Sequence, residues 1–195
     1  VRLGIASIWL VIAICGTAQA QVLSINESIQ RSRVSTTLEW TKLTLGDQDI
    51  DAQGIQLQYD YSFSNRLFFE GFVSTAMTAA DGALQSSFVG FGAYALYSFF
   101  GNCCEVHKTV SVDSRQLLKE EIPSGWLLLA GAGVDQYLLN GTKGVYSSTG
   151  FGVEVSALFP LGSYSGRVNL KSSQLTAGAL SIPALFAGVG VVYSF

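Results

Sequence analysis

Residues 55–63 read Ile-Gln-Leu-Gln-Tyr-Asp-Tyr-Ser-Phe, an uninterrupted alternation of bulky apolar and polar side chains. A helix would scatter this pattern around its circumference, whereas a strand sorts Ile55, Leu57, Tyr59, Tyr61 and Phe63 onto one face and Gln56, Gln58, Asp60 and Ser62 onto the other. The same period recurs along the chain. Eight segments carry it, near 34–45, 54–63, 66–77, 87–100, 125–139, 147–159, 164–173 and 183–195, with Gly, Asn, Asp and Ser clusters between them. Most are close to the roughly ten residues that a tilted strand needs to cross a bilayer.

Composition gives the alternation its meaning. The chain of 195 residues is 49% hydrophobic and 13% charged, against about 25% charged in soluble domains. Yet its longest apolar run, Leu3 to Cys15, falls short of the roughly 20 residues of a spanning helix. Strands must therefore do any spanning. In hydrocarbon every backbone N–H and C=O needs an internal partner, so amphipathic strands have to close into a barrel, and eight is an acceptable even count.

Arg2, the apolar stretch Leu3–Ile14 and Thr17-Ala18-Gln19-Ala20 before Gln21 have the three parts of a secretory leader, with cleavage expected after Ala20. Acylation at Cys15 is disfavoured by Ile14, where a lipoprotein signal needs a small residue. The expected organisation is a leader over 1–20, a periplasmic N-terminal segment over 21–33, and a barrel over 34–195 with a periplasmic insert at 101–124. Within the insert, Val106–Val112 is strand-like, and Asp113–Glu121 reads as two helical turns capped by Asp113 or Ser114 and stopped by Pro123.

Which face looks outward is decided by the small and charged residues. Gly90, Gly92, Gly131, Gly133, Gly152, Gly188 and Gly190 share faces with Asp135 and Glu154, while bulky aromatics occupy the opposite faces. Small residues beside charges suit a narrow, polar-filled interior. With both chain ends periplasmic, Tyr61, Phe63, Tyr97, Phe99 and Phe159 end descending strands, and Phe69 and Trp126 begin rising ones. All seven fall on one rim, as an interfacial aromatic girdle would.

The last strand places Phe195, Tyr193, Val191, Val189, Ala187 and Leu185 on one face, and Ser194, Val192, Gly190, Gly188 and Phe186 on the other. It resembles the closing strand of bacterial outer-membrane β-barrels, and Val191, Tyr193 and Phe195 match the C-terminal signal that the barrel-assembly machinery reads in that family. Over residues 34–195 the chain is similar to the small OmpA/OmpX-type barrels. The resemblance implies an all-β, eight-stranded, antiparallel, up-and-down transmembrane barrel, preceded by a cleaved signal helix. It also implies a Gram-negative outer membrane as location, with outer-membrane lipid and lipopolysaccharide as neighbours. Outer loops are expected near 46–53, 78–86, 140–147 and 174–182, and short periplasmic connections at Ser64-Asn65 and Pro160–Ser163.

The inward face collects Glu39, Asp60, Glu70, Asp135 and Glu154 against Arg167 and Lys171. Charges inside so narrow a barrel persist only when paired or hydrogen-bonded, so an ion-pair network filling the lumen is expected. Acid outnumbers base, and not every carboxylate can find a cation. The role that follows is structural or surface-interacting. A narrow ion or solute pore is the alternative, and a lipid A-modifying enzyme a more distant one.

Other chemistries find little support. Asp47-Gln48-Asp49-Ile50-Asp51 starts like a calcium loop, but Ala52 stands where the sharp turn needs Gly and Gln58 where a bidentate Glu should close the site. Adjacent Cys103 and Cys104 rarely point at one ion, so that with Glu105 and His107 they leave a metal cluster short of its fourth ligand. His107, the one histidine, is followed by Lys108-Thr109, so the His-x-Ser-Asn motif of the lipid A deacylase barrels is absent. No catalytic residue, metal or cofactor is implied. Loss of Arg2 with the leader leaves ten basic residues against fourteen acidic ones, a balance unsuited to nucleic acid.

Overall fold

The computed structural model describes residues 23–29, 31–45, 48–78, 87–101, 106–112, 115–122, 125–141 and 144–195. The leader, Asp47 and Cys103-Cys104 lie outside them. Eleven strands occur in order: β1 (Leu23–Ile29), β2 (Ser32–Leu45), β3 (Gln48–Ser62), β4 (Leu67–Thr78), β5 (Ser87–Phe100), β6 (Val106–Val112), β7 (Arg115–Ile122), β8 (Leu127–Gly141), β9 (Gly144–Leu161), β10 (Tyr164–Ala177) and β11 (Leu180–Ser194).

Eight of them form a closed barrel in the order β10-β11-β2-β3-β4-β5-β8-β9. Every neighbouring pair is antiparallel, and the ring closes where β11 meets β2, from Ala184 opposite Leu43 to Ser194 opposite Arg33. Phe195 N–H donates to Ser32 O at 3.0 Å and extends that ladder to the last residue. Closure leaves no unpaired edge in the barrel, which is the condition for a sheet to face hydrocarbon.

The strands run further than the alternation of outward apolar residues indicates. The outer loop expected over 46–53 is mostly β3, that over 174–182 shrinks to Gly178-Ala179, and that over 140–147 largely joins β8 and β9. Beyond an apolar belt, residues such as Asp49 and Gln174 are polar on the outward face, so hydropathy contrast vanishes while backbone pairing continues. Gly178, at φ 63°, and Gly162, at φ 64°, supply the left-handed backbone of the two tight turns on either side of β10. On β5 the register slips between Ser98 and Phe100, and this bulge turns both Phe99 and Phe100 outward.

A separate compact unit contains a three-stranded sheet in the order β1-β6-β7. Its third strand corrects the expected helix: Arg115–Ile122 is extended. Two isolated helical turns would make few backbone bonds for a costly nucleus. A strand joined to β6 through only two residues hydrogen-bonds to it instead. The N-terminal segment expected over 21–33 carries β1, and β2 already begins at Ser32.

Candidate functional site: the barrel lumen

Because β-strand side chains alternate, one parity on each barrel strand fills the interior. The lumen is layered. Nearest the rim that carries both ends of the barrel, Phe68, Leu96, Leu127, Leu129, Leu158 and Val192 are buried and form an apolar floor, with the Arg33 guanidinium 4.9 Å from the Phe68 ring centre. Near the opposite rim, Leu43, Phe88, Leu175 and Ile182 form an apolar roof around a gap of about 10 Å3, which is room for one water at most. Between floor and roof lies the polar layer.

Arg167, on β10, is its centre and is fully buried. Its Nη1 donates to Asp60 Oδ2 at 2.9 Å; its Nη2 donates to Glu154 Oε1 at 2.9 Å, to Ser156 Oγ at 3.1 Å and to Glu70 Oε2. Asp60 sits on β3, Glu154 on β9 and Glu70 on β4, which lies diametrically across the ring from β10. One guanidinium thus ties four strands together through the barrel axis. Gln58 Nε2 donates to the other Glu70 oxygen at 3.2 Å, and Ser35 Oγ donates to Gln58 Oε1 at 2.9 Å, extending the network to β2.

Lys171 makes a different environment one layer towards the roof. Its Nζ lies 3.8 Å from the Phe72 ring centre and 4.3 Å from that of Phe186, with Tyr137 and Tyr94 at 5.5 and 5.8 Å. It donates to Tyr137 Oη at 2.8 Å and stands 3.8 Å from Asp135 Oδ1. Four rings around one ammonium replace much of the water it has lost. Asp135 is held mainly by neutral donors: Tyr94 Oη donates to its Oδ2 at 2.7 Å, and Ser173 Oγ donates to the same oxygen. Gly152 makes room for this cluster, since a Cβ there would collide with the Tyr94 hydroxyl and come within 2.8 Å of Asp135.

All seven charged residues singled out in the sequence are buried, and six of them form two groups. Arg167 gathers Asp60, Glu70 and Glu154; Lys171 gathers Asp135. Glu39 joins neither by contact, and its Oε1 accepts from Thr41 Oγ1 at 3.3 Å. Missing from that set are Arg33, Tyr94, Tyr137, Ser156 and Ser173, together with Phe72 and Phe186 of the cage. The interior is polar in its middle layer and mixed at the end that bears the floor, where apolar side chains pack beside buried Arg33, Ser62 and Ser98, because a barrel this narrow must also be packed at its mouths.

The seven girdle aromatics stand near the rim that bears Ser32 and Phe195. Tyr61 packs edge-on against Phe63 at 5.2 Å and Tyr97 against Phe99 at 5.4 Å, while Trp126 lies tilted by 30° over Phe159 at 5.5 Å. Phe69 is exposed beside Tyr61, its register partner. Of the terminal signal residues, Val191, Tyr193 and Phe195 all point outward, and Tyr193 stacks on Phe195. Among the described residues no cluster of three His, Cys, Asp or Glu is placed to hold a metal; Asp49 pairs with Lys42 at 2.7 Å.

Closed ring, antiparallel up-and-down order and inverted polarity together give the fold of the small eight-stranded outer-membrane barrels. The structure of Neisserial surface protein A superposes with a TM-score of 0.65 at 13% identity, covering 87% of this chain and 99% of that one. Two more distant structures are Ail of Yersinia pestis (13% identity, 85% and 100% covered, TM-score 0.47) and the N-terminal barrel of Pseudomonas aeruginosa OprF (11%, 85% and 100%, TM-score 0.45). No protein-family profile and no curated protein sequence matches the chain. At such identities the likeness to the neisserial structure is one of fold.

Proposed function

We propose that the protein is an integral outer-membrane barrel that acts as a closed envelope element and surface-contact scaffold. One observation carries this reading. Of the charged residues in the described barrel strands, only Lys42, Asp49 and Asp51 face outward, and all three lie near one rim; the others point into the lumen. Most of the remaining outer surface is an apolar belt, in which Phe151 is 77% and Val153 60% exposed. Water would penalise such a surface, and acyl chains would not.

The layered lumen favours a closed element over the alternative of a narrow pore. A conducting path would have to displace an apolar floor, a cross-braced ion cluster and an apolar roof. Outer-membrane lipid and lipopolysaccharide are the proposed surroundings, and the assembly machinery the proposed reader of Val191, Tyr193 and Phe195. The fold neighbour is itself a surface protein, and the two-residue Gly178-Ala179 turn fits a compact outer face. The reading calls for no catalysis.

Three measurements test it. Heat-modifiable mobility in detergent gels, boiled against unboiled, is expected for a closed barrel. In planar bilayers the protein is expected to give only small and rare conductance steps; large steady currents would replace the sealed element with a pore. Lipid A mass spectra unchanged by expression of the chain are expected, and a new lipid A species would establish the enzymatic reading instead.

A further inference from the structure

We infer that the outward face of β4, β5 and β8, at the rim that bears Ser32 and Phe195, seats one phospholipid of net negative headgroup, phosphatidylglycerol; the inference rests on the membrane reading above. With both ends of the barrel periplasmic, this rim meets the inner leaflet of the outer membrane, which is built of phospholipid. Exposed charge sorts by rim. Lys42, Asp49 and Asp51 stand at the far rim, whereas Arg31 and Arg66 are the exposed charged side chains at this one among the described barrel residues. A basic rim complements an anionic headgroup.

Arg66 is held in place by its turn and by β5. Its backbone N–H donates to Ser64 Oγ at 3.4 Å, and its carbonyl accepts from Ser98 N–H at 2.8 Å. Its Nη1 donates to Tyr97 Oη at 3.3 Å, which brings the guanidinium out to the aromatic girdle. Because Tyr97 accepts from Arg66, its own O–H is left to donate outward, and the guanidinium keeps the other N–H groups of a fork that matches phosphate. Two side chains thus offer donors at one point, at the depth where tyrosine favours the interface. An acyl chain has a path from there into the belt. Tyr97 is opposite Leu67 and Ala130; one row deeper, Phe69, Ala95, Ala132 and Val153 are successive partners. The two alanines lie low between exposed Phe69 and Val153, and Gly71 opposite Ala93 continues the apolar trough for another row. From Tyr97 to Ala93 this runs about 13 Å at the rise of a strand, before exposed Phe91 closes it.

The test is native mass spectrometry of the purified barrel, released from mixed micelles that hold phosphatidylglycerol and phosphatidylethanolamine with identical acyl chains in equal amounts. The wild-type barrel is expected to retain the glycerol lipid roughly fivefold over the ethanolamine lipid, the factor that about one charge interaction at a lipid surface supplies. Arg66→Gln should erase the preference, and Tyr97→Phe, which removes only the hydroxyl, should reduce it. Ala95→Phe, which fills the trough and leaves Arg66 in place, should lower retention of both lipids. Equal retention by the wild type, preference for the ethanolamine lipid, or a preference that survives Arg66→Gln would overturn the seat. Loss of heat-modifiable mobility by the wild type in the same preparation would instead refute the membrane reading and the seat with it, so the two failures are distinct.

Discussion

Arg167 and Lys171 are both buried cations in one lumen, but their surroundings predict different costs of removal. Arg167→Met strands Asp60, Glu70 and Glu154 without their shared partner, and breaking a buried charge cluster in this way costs about 3–5 kcal/mol. Neutralising the whole cluster, as Asp60→Asn, Glu70→Gln, Glu154→Gln and Arg167→Met together, should recover most of that loss. Lys171→Met leaves Asp135 with the Tyr94 and Ser173 donors and puts a thioether among four rings. A loss of roughly 1–2 kcal/mol is expected, the scale of a desolvated cation–π contact. Urea unfolding in lipid vesicles ranks the three variants, and equal losses for the two single substitutions would show that the cage does not shelter Asp135. The charged set itself was legible, because charge on a glycine-bearing face marks the interior. Which acid meets which base was not, since strand order and stagger decide it. Tyr137 was open to a reader who followed parity instead of polarity: it shares its face with Asp135, as do Leu127 and Leu129.

At the scale of the strand, the alternation reports which side chains face outward in an apolar belt, not hydrogen bonding. All eight barrel strands were visible in it, but several outer ends were not: β10 runs to Ala177, past the expected 164–173, and carries Gln174 and Thr176 on its outward face beyond the belt. β7 was misread for a related reason: Arg115–Ile122 has no clean period, so local capping signals decided the expectation, while pairing with β6 decided the structure. Where a strand is tightly constrained, the prediction can be sharp. On β9, Gly152→Ala should cost about 1–3 kcal/mol by overpacking against Tyr94, and Tyr94→Phe, which removes the obstructing hydroxyl, should relieve part of it. A double-mutant cycle on these two sites is expected to show coupling of at least about 0.5 kcal/mol; strict additivity would mean that the glycine serves another neighbour. Just past β11, Phe195→Ala should reduce the amount of barrel reaching the membrane fraction of cells while leaving the unfolding midpoint of refolded protein nearly unchanged. Equal losses in both would make Phe195 a stability residue.

For the whole molecule, the question is which solvent the outer surface meets, and a charge placed at graded depth answers it. Leu57 and Val153 sit inside the apolar belt, whereas Val145 lies on the same strand as Val153 but beyond it, beside the Gly141–Gly144 pairing at the strand ends. In a bilayer, arginine at the midplane of a barrel's lipid face costs about 2–4 kcal/mol and falls to about 0–1 near the interface. Leu57→Arg and Val153→Arg should therefore destabilise the vesicle-inserted barrel by that larger amount, and Val145→Arg hardly at all. The same three side chains are all more than half exposed, so a water-facing surface would accept arginine at each with no gradient. Because the substitutions leave the lumen untouched, the gradient separates lipid contact from internal packing. A flat profile would remove the physical basis for placing this barrel in a membrane, however well its strands close.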